Sequence, residues 1–306
     1  MKIIVTGGAG FIGSHVVDGL IDDGHSVLVI DNLSTGNSNN VNPKADFENI
    51  DITDSAISNI IKSFDPDVIS HFAAQTSVNI STNNPVLDAN TNIIGTINVF
   101  DAMNSTSCRN FIYINTGGAL YGDPEYLPLD ESHPIKPISP YGLSKWTAES
   151  YILMQKKPYQ FVKTLRLSNV YGPRQDHFGE AGVVSIFLNR MLSQKPVTIF
   201  GDGEQTRDFV YVGDVEEAFK AAIKKDETFS VNISSGKVTS INELYELMSK
   251  IVGNSVPANY ENIRLGDLTH SVLSNKLANQ LLGWMPLIDL SEGIKKTSAW
   301  QITGRC

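Results

Sequence analysis

Cysteine is nearly missing from this chain of 306 residues, where only Cys108 and Cys306 occur. Two thiols, one in a helix-to-strand connection and one at the C-terminus, build no disulfide framework, and two free thiols fit a reducing compartment. Positive charge is also scarce: 24 Lys and Arg face 33 Asp and Glu, a formal charge of −9. Such a surface repels nucleic acid, so a polyanionic ligand has to be held by individually placed arginines, of which the chain has seven. No apolar run approaches bilayer length, and the start Met-Lys-Ile-Ile-Val-Thr has neither the charged region nor the long apolar segment of a secretion signal. The expectation is a soluble, cytoplasmic protein with no membrane or nucleic-acid partner. Asn32-Leu33-Ser34 and Asn104-Ser105-Thr106 match the glycosylation pattern, but without a signal they read as a loop and a helix end.

What the chain does have begins at residue 2. Lys2-Ile-Ile-Val-Thr6 is an apolar strand, followed by Gly7-Gly8-Ala9-Gly10-Phe11-Ile12-Gly13 and a helical pattern through Val16, Val17, Leu20 and Ile21. In this strand, glycine turn and helix, Gly7 permits the turn, Gly10 lets backbone approach a pyrophosphate, and Gly13 lets helix and strand pack closely. The phosphate then meets the helix N-terminus. A second strand at 26–30 ends in Asp31, about twenty residues on, where a carboxylate hydrogen-bonds adenosine ribose hydroxyls and repels a 2′-phosphate. The cofactor predicted is NAD rather than NADP.

A second constellation is Ser139-Pro-Tyr-Gly-Leu-Ser-Lys145. Ser139 suits the N-cap and Pro140 the first helical position, so Tyr141 and Lys145 stand at i and i+4, where side chains meet. A nearby cation favours phenolate over phenol, which can make the tyrosine a base. The spacing alone is uninformative, since Tyr159 and Lys163 share it within a stretch after Pro158 that reads as a buried strand. Context separates the two pairs.

Strand patterns at 2–6, 26–30, 47–50, 67–71, 110–115 and 160–167 alternate with helical ones, which predicts an α/β fold: a Rossmann-like, doubly wound parallel sheet covered on both faces. Several strands are near-continuous apolar runs, as expected where both sheet faces are buried. Their C-terminal ends carry Gly7, Asp31, Asp51, Phe72-Ala73-Ala74, Thr116 and Asn169 along one edge, where an open sheet binds its ligand. Residues 1–168 read as the dinucleotide-binding domain. Residues 169–306 read mainly as a smaller C-terminal α/β lobe, with a return of the chain to the first domain near 207–235. Helical segments are expected at 214–225, 241–251, 276–282 and 290–303. His71 ends an apolar strand and reads as a hydrogen-bonded core residue, His177 as loop surface, and Arg174 after Gly-Pro as a ligand arginine or a turn brace.

With these residues in hand, the chain resembles the extended short-chain dehydrogenase/reductase family, in particular nucleotide-sugar 4-epimerases of the UDP-glucose type. The resemblance covers essentially the whole chain. Its stretches stand here as Thr6-Gly-Gly-Ala-Gly-Phe-Ile-Gly13, Asp31-Asn-Leu-Ser-Thr-Gly36, His71-Phe-Ala-Ala74, Ser139-Pro-Tyr-Gly-Leu-Ser-Lys145, Asn169-Val-Tyr-Gly-Pro-Arg174 and Arg207-Asp-Phe-Val-Tyr-Val212. The resemblance implies that Asp31 and Asn32 hold the adenosine ribose and Asp51 with Ile52 the adenine. Gly7, Gly10, Phe11, Ile12 and Gly13 would take the pyrophosphate, and Phe72, Ala73, Ala74 and Lys145 would line the nicotinamide side. Asn169, Arg207 and Arg264 would hold the nucleotide-diphosphate end of a UDP-sugar, a task for which bidentate guanidinium is suited. Ser271 would flank the sugar's 2-substituent, where a small side chain leaves room for an N-acetyl group. Relatives use a Ser or Thr hydroxyl beside the tyrosine. Counting back from Tyr121 puts Gly117 there, whereas aligning from the strand Phe111-Ile-Tyr-Ile gives Thr116, the only hydroxyl available.

The activity implied is NAD-dependent 4-epimerisation of UDP-glucose and UDP-galactose, with UDP-GlcNAc and UDP-GalNAc admitted by Ser271, through a 4-keto sugar. No metal is implied, and a homodimer would form through the helical segments 88–104 and 140–154. One rival is a dehydratase or decarboxylase of the same family, which needs an acidic side chain where this chain has Gly117-Gly118. Another is a non-catalytic NAD-binding regulator, which predicts a broken Tyr-Lys pair.

Overall fold

The computed structural model describes residues 1–177, 182–253, 256–263 and 268–304. Its centre is a seven-stranded sheet in the spatial order Phe229–Ile233, Phe161–Leu167, Asn110–Thr116, Val68–His71, Lys2–Thr6, Ser26–Ile30, Asp46–Glu48. All of these strands pair in parallel. The chain steps outward from Lys2–Thr6 in one direction and then in the other, so the order reverses beside that strand. A crevice opens at the C-terminal ends where neighbouring connections leave in opposite directions.

Both faces of the sheet are dry. On one, Val16, Val17 and Leu20 of the helix Phe11–Asp22 and Val215, Ala218 and Phe219 of the helix Val212–Ile223 bury Ile3, Val5, Val29 and Leu165. On the other, Ile57, Ile61, Val99, Phe100, Met103, Ala148 and Ile152 bury Ile4, Ile30, Ile69 and Phe111. Each such side chain contributes about 1.5–3 kcal/mol when fully buried, so the strands are pinned from both sides. A separate core of Phe187, Leu188, Met191, Leu244, Met248 and Ile294 joins the helices Val183–Leu192, Ile241–Val252 and Leu290–Thr303. The short strand Asn169–Tyr171 pairs with Phe209–Tyr211, after which the chain re-enters the main sheet through Phe229–Ile233.

Three local expectations are corrected. Tyr159 lies in the turn before the strand and is 52% exposed, while Lys163 is buried in the strand Phe161–Leu167. Its own apolar neighbours draw the strand in from Phe161 onward, and Pro158 belongs to the turn. The third strand is Asp46–Glu48 rather than 47–50, an exposed edge whose position is set by pairing with Leu28, Val29 and Ile30. The segment 88–104 is not one regular helix: Pro85–Ala89 runs through a π-helical turn, Asn90–Gly95, into Thr96–Met103. No helix among the described residues is long and apolar enough to cross a membrane.

Asp208 ties the returning chain together. Its buried carboxylate accepts from the Ser235 N–H (2.8 Å) and hydroxyl (2.7 Å), the Gly236 N–H (3.1 Å) and the Leu273 N–H (3.2 Å). Asp208→Ala strands these donors, each at about 1–3 kcal/mol, so a loss of about 3 kcal/mol or more is expected. Thermal unfolding reads it as a fall of several degrees in the midpoint, and an unchanged midpoint would contradict this role.

Candidate active site

The glycine turn is sterically demanding. Gly7 has φ +71°, and a Cβ there would stand 2.5 Å from the Ala73 nitrogen, so only glycine lets the turn close against the Phe72-Ala73-Ala74 segment. Gly10 precedes the helix Phe11–Asp22 with no side-chain cap and no acidic residue in the first turn, while Gly13 is buried within it. First-turn amides without a side-chain cap are what a phosphate needs. Phe11 stands edge-on to His15, and Ile12 packs against the core.

Asp31 is buried at the end of the second strand, accepting from the Ala9 N–H (3.0 Å) and the Leu33 N–H (2.8 Å), which fastens the glycine loop to the end of that strand. Asn32 donates to Asp51 at 2.6 Å, and Ile52 is buried beside Gly95. Ala73 N–H donates to the Thr6 hydroxyl at 3.3 Å. Glycine turn, uncapped helix and carboxylate lie along one sheet edge, so these residues fit a dinucleotide.

The Tyr141 helix, Pro140–Gln155, starts as its composition dictates: Ser139 Oγ accepts from the Gly142 N–H at 3.2 Å, and Pro140 occupies the first turn. Gly142 lets the helix seat closely, since a Cβ there would meet the Ala119 oxygen at 2.2 Å. That approach brings Tyr141 to the end of the strand Asn110–Thr116, where the Thr116 hydroxyl lies close enough to the phenol to favour its ionised form. Gly117 is turned elsewhere, its N–H donating to the Leu167 oxygen at 2.7 Å. Lys145 is buried with Nζ 4.3 Å from the centroid of the Tyr113 ring. Burial pushes the Tyr141 phenol up to about 12, opposed by the nearby Thr116 hydroxyl and reinforced by the Asp88 charge. Burial pulls the Lys145 ammonium down to about 7, opposed by the carboxylates of Glu149 and Asp88. The phenol is therefore protonated at neutral pH until further positive charge arrives beside it.

On the other side of the crevice, Asn169 donates to the Asp208 oxygen through N–H (3.0 Å) and Nδ2 (3.2 Å). Half-buried Arg207 donates from Nη1 to the Thr206 oxygen at 2.9 Å. Ser271 is buried alongside, its N–H donating to the Thr206 oxygen at 3.2 Å. Arg264 lies outside the described residues. Arg174, with φ +66°, pairs with Asp18 at 2.6 Å and so fastens its turn to the helix Phe11–Asp22. His177 is half-buried rather than plain loop surface. His71 is buried between the hydroxyls of Thr6 (2.8 Å) and Thr96 (2.9 Å), and burial drives its pKa to about 3, so it stays neutral.

Residues that the sequence reading passed over surround this centre. Asn92, in the π-turn, donates to Asp88 (3.0 Å), Ser144 (3.1 Å) and the Gln75 oxygen (2.9 Å). Glu149, Asn115 and Arg166 form a buried cluster beneath Lys145. Only Glu149 left a local signal, standing four residues after Lys145 on the same helix face.

A family model described as the NAD dependent epimerase/dehydratase family matches residues 3–234. The UDP-glucose 4-epimerase of Mycolicibacterium smegmatis is 40% identical over 304 residues, 97% of each chain. Among solved structures, the UDP-glucose 4-epimerase of Thermotoga maritima with UDP-glucose is similar at TM-score 0.96 and 44% identity, covering 99% of both chains. The UDP-glucose 4-epimerase of Thermus thermophilus in complex with NAD is similar at TM-score 0.94 and 38% identity over 100% of both.

Asp31→Ala should weaken binding of NAD about tenfold or more, the scale of a lost hydrogen bond to a charged group, and should narrow the preference over NADP. Titration calorimetry of both dinucleotides checks this. Unmodified protein binding NADP more tightly than NAD would overturn the ribose assignment.

Proposed function

The chain belongs to the NAD dependent epimerase/dehydratase family, and on that premise we propose that it interconverts UDP-glucose and UDP-galactose by transient oxidation at C4. The observation that carries the reading is the Thr116 hydroxyl beside Tyr141, with Lys145 buried one turn on, at the sheet edge that also carries the glycine turn and Asp31. Bound NAD would supply reversible hydride transfer at C4. Gly7, Gly10, Phe11, Ile12 and Gly13 would hold its pyrophosphate, Asp31, Asn32, Asp51 and Ile52 its adenosine, and Phe72, Ala73, Ala74 and Lys145 its nicotinamide end. Thr116 orients the C4 hydroxyl. Tyr141, as phenolate, accepts that proton and later gives it back, while the Lys145 ammonium stabilises the phenolate. Asn169 and Arg207, with Arg264, grip the diphosphate, leaving the 4-keto sugar free to present its other face. Elimination or decarboxylation would need an acid-base side chain where Gly117 and Gly118 stand.

We further propose a homodimer. The helical segment from Pro85 to Met103 lies beside the Tyr141 helix, and together they expose Val86 (68%), Ile94, Leu143 (54%), Tyr151 and Met154 (86%). Apolar side chains concentrated in this way mark an interaction face. By resemblance this face meets its own copy.

Tyr141→Phe keeps the ring packing and removes the proton acceptor, so turnover should fall by roughly two to four orders of magnitude while folding survives. UDP-galactose formation followed by product separation measures it. Activity within tenfold of wild type would remove Tyr141 from the mechanism.

Ser271 carries the expectation about N-acetyl sugars. A tyrosine at that place would crowd an N-acetyl group at a cost of roughly 1–3 kcal/mol, tenfold or more in selectivity. Wild type should therefore convert UDP-GlcNAc as well as UDP-glucose, and Ser271→Tyr should suppress the N-acetyl substrate selectively. Equal slowing of both substrates would sink the gatekeeper role.

A further inference from the structure

Behind the reacting groups lies a buried ion pair that the mechanism above does not use. Glu149, four residues after Lys145, and Arg166, on the strand Phe161–Leu167, are both buried, with Arg166 Nη2 donating to Glu149 Oε1 at 2.7 Å. The Ser230 hydroxyl donates to the same oxygen at 2.9 Å. The other oxygen, Oε2, accepts from Asn115 Nδ2 at 2.5 Å. Asn115 is where this cluster meets the chemistry: Nδ2 also reaches the Lys145 carbonyl at 3.5 Å, and Oδ1 accepts from the Thr116 N–H at 2.7 Å. A carboxylate only accepts, so Glu149 allows one orientation of the Asn115 amide and presents its oxygen to Thr116.

We propose that Glu149 is a positioning residue of the catalytic centre, which orients Asn115 so that Thr116 on its strand and Lys145 on its helix stay in register, with Arg166 as its counter-charge. The inference rests on the epimerase reading above. An apolar pair of equal volume would serve stability as well as a buried ion pair does, but it could not orient an amide. The cluster also bears on charge. Lys145 is faced by Asp88 from the segment Pro85–Ala89, His71 from the strand Val68–His71, Tyr113 from the strand Asn110–Thr116, and Glu149 from its own helix. Burial keeps His71 neutral and pushes Tyr113 up, so at neutral pH the two carboxylates are what favour the ammonium.

Glu149→Gln retains the shape and removes the charge. For the NAD-loaded enzyme, kcat on UDP-glucose should fall roughly ten- to hundredfold, the scale of a small misplacement, with KM within about threefold of wild type. The alkaline limb of the kcat profile should move to lower pH, because an ammonium that has lost a supporting carboxylate gives up its proton sooner. 13C NMR of labelled lysine, with Lys145 assigned through Lys145→Met, reads the same displacement without turnover. Since Glu149→Gln leaves Arg166 uncompensated, the double variant with Arg166→Gln is measured too: it should regain thermal stability but not kcat. The proposal is overturned by an unchanged Lys145 titration with kcat within twofold of wild type, or by a double variant that recovers kcat together with stability. A wild type that does not convert UDP-glucose would count against the epimerase reading instead, while the NMR titration still decides the role of Glu149.

Discussion

A lysine ammonium taken out of water is the constraint around which this molecule is arranged. Lys145 sits in the dry seam between the Tyr141 helix and the sheet, where burial pulls its pKa down to about 7 even against two nearby carboxylates. The structure answers with the Tyr113 ring face and the carboxylates of Asp88 and Glu149. Those groups come from separate segments, and each needs its own partners: Gln75 and Asn92 for Asp88, Arg166 and Ser230 for Glu149. The shared hydrogen bonds of this buried network tie the Tyr141 helix to three neighbouring strands.

The same constraint explains why the reacting phenol stands where it does. A tyrosine held up to about 12 by burial is not a base by itself, and it becomes one when positive charge gathers on both sides of it. The residues that would hold the dinucleotide lie on the neighbouring connections of the same sheet edge. On the proposed mechanism, proton acceptance depends on an occupied cofactor site. An open parallel sheet supplies such an edge wherever its strand order reverses.

Much of this was legible in the residues, for a physical reason. The glycine turn, Asp31 and the Ser139-Pro140 helix start act through backbone geometry within a few positions, and the structure places them as read. Thr116 and Gly117 could be told apart only by following the strand rather than counting from Tyr121. What was not legible acts across the chain: Asp208 with Leu273, Glu149 with Arg166, Asn115 with the Lys145 carbonyl. Hydrophobic periodicity carries no record of which buried polar groups will meet. The π-turn at Asn90–Gly95 leaves no compositional trace, and Tyr159 went astray because a proline placed just ahead of a strand also suits a turn.

The central claim is that the proton of the C4 hydroxyl moves through Tyr141 while the hydrogen on C4 never leaves the site. Conversion of UDP-glucose carrying deuterium at C4, in ordinary water, tests this most directly when the product is analysed by NMR. The account predicts UDP-galactose with its C4 deuterium fully retained and, in the reciprocal experiment in D2O, no solvent deuterium on any ring carbon. Loss of the C4 label, or deuterium entering at C5, would contradict it and point to proton chemistry at a neighbouring carbon.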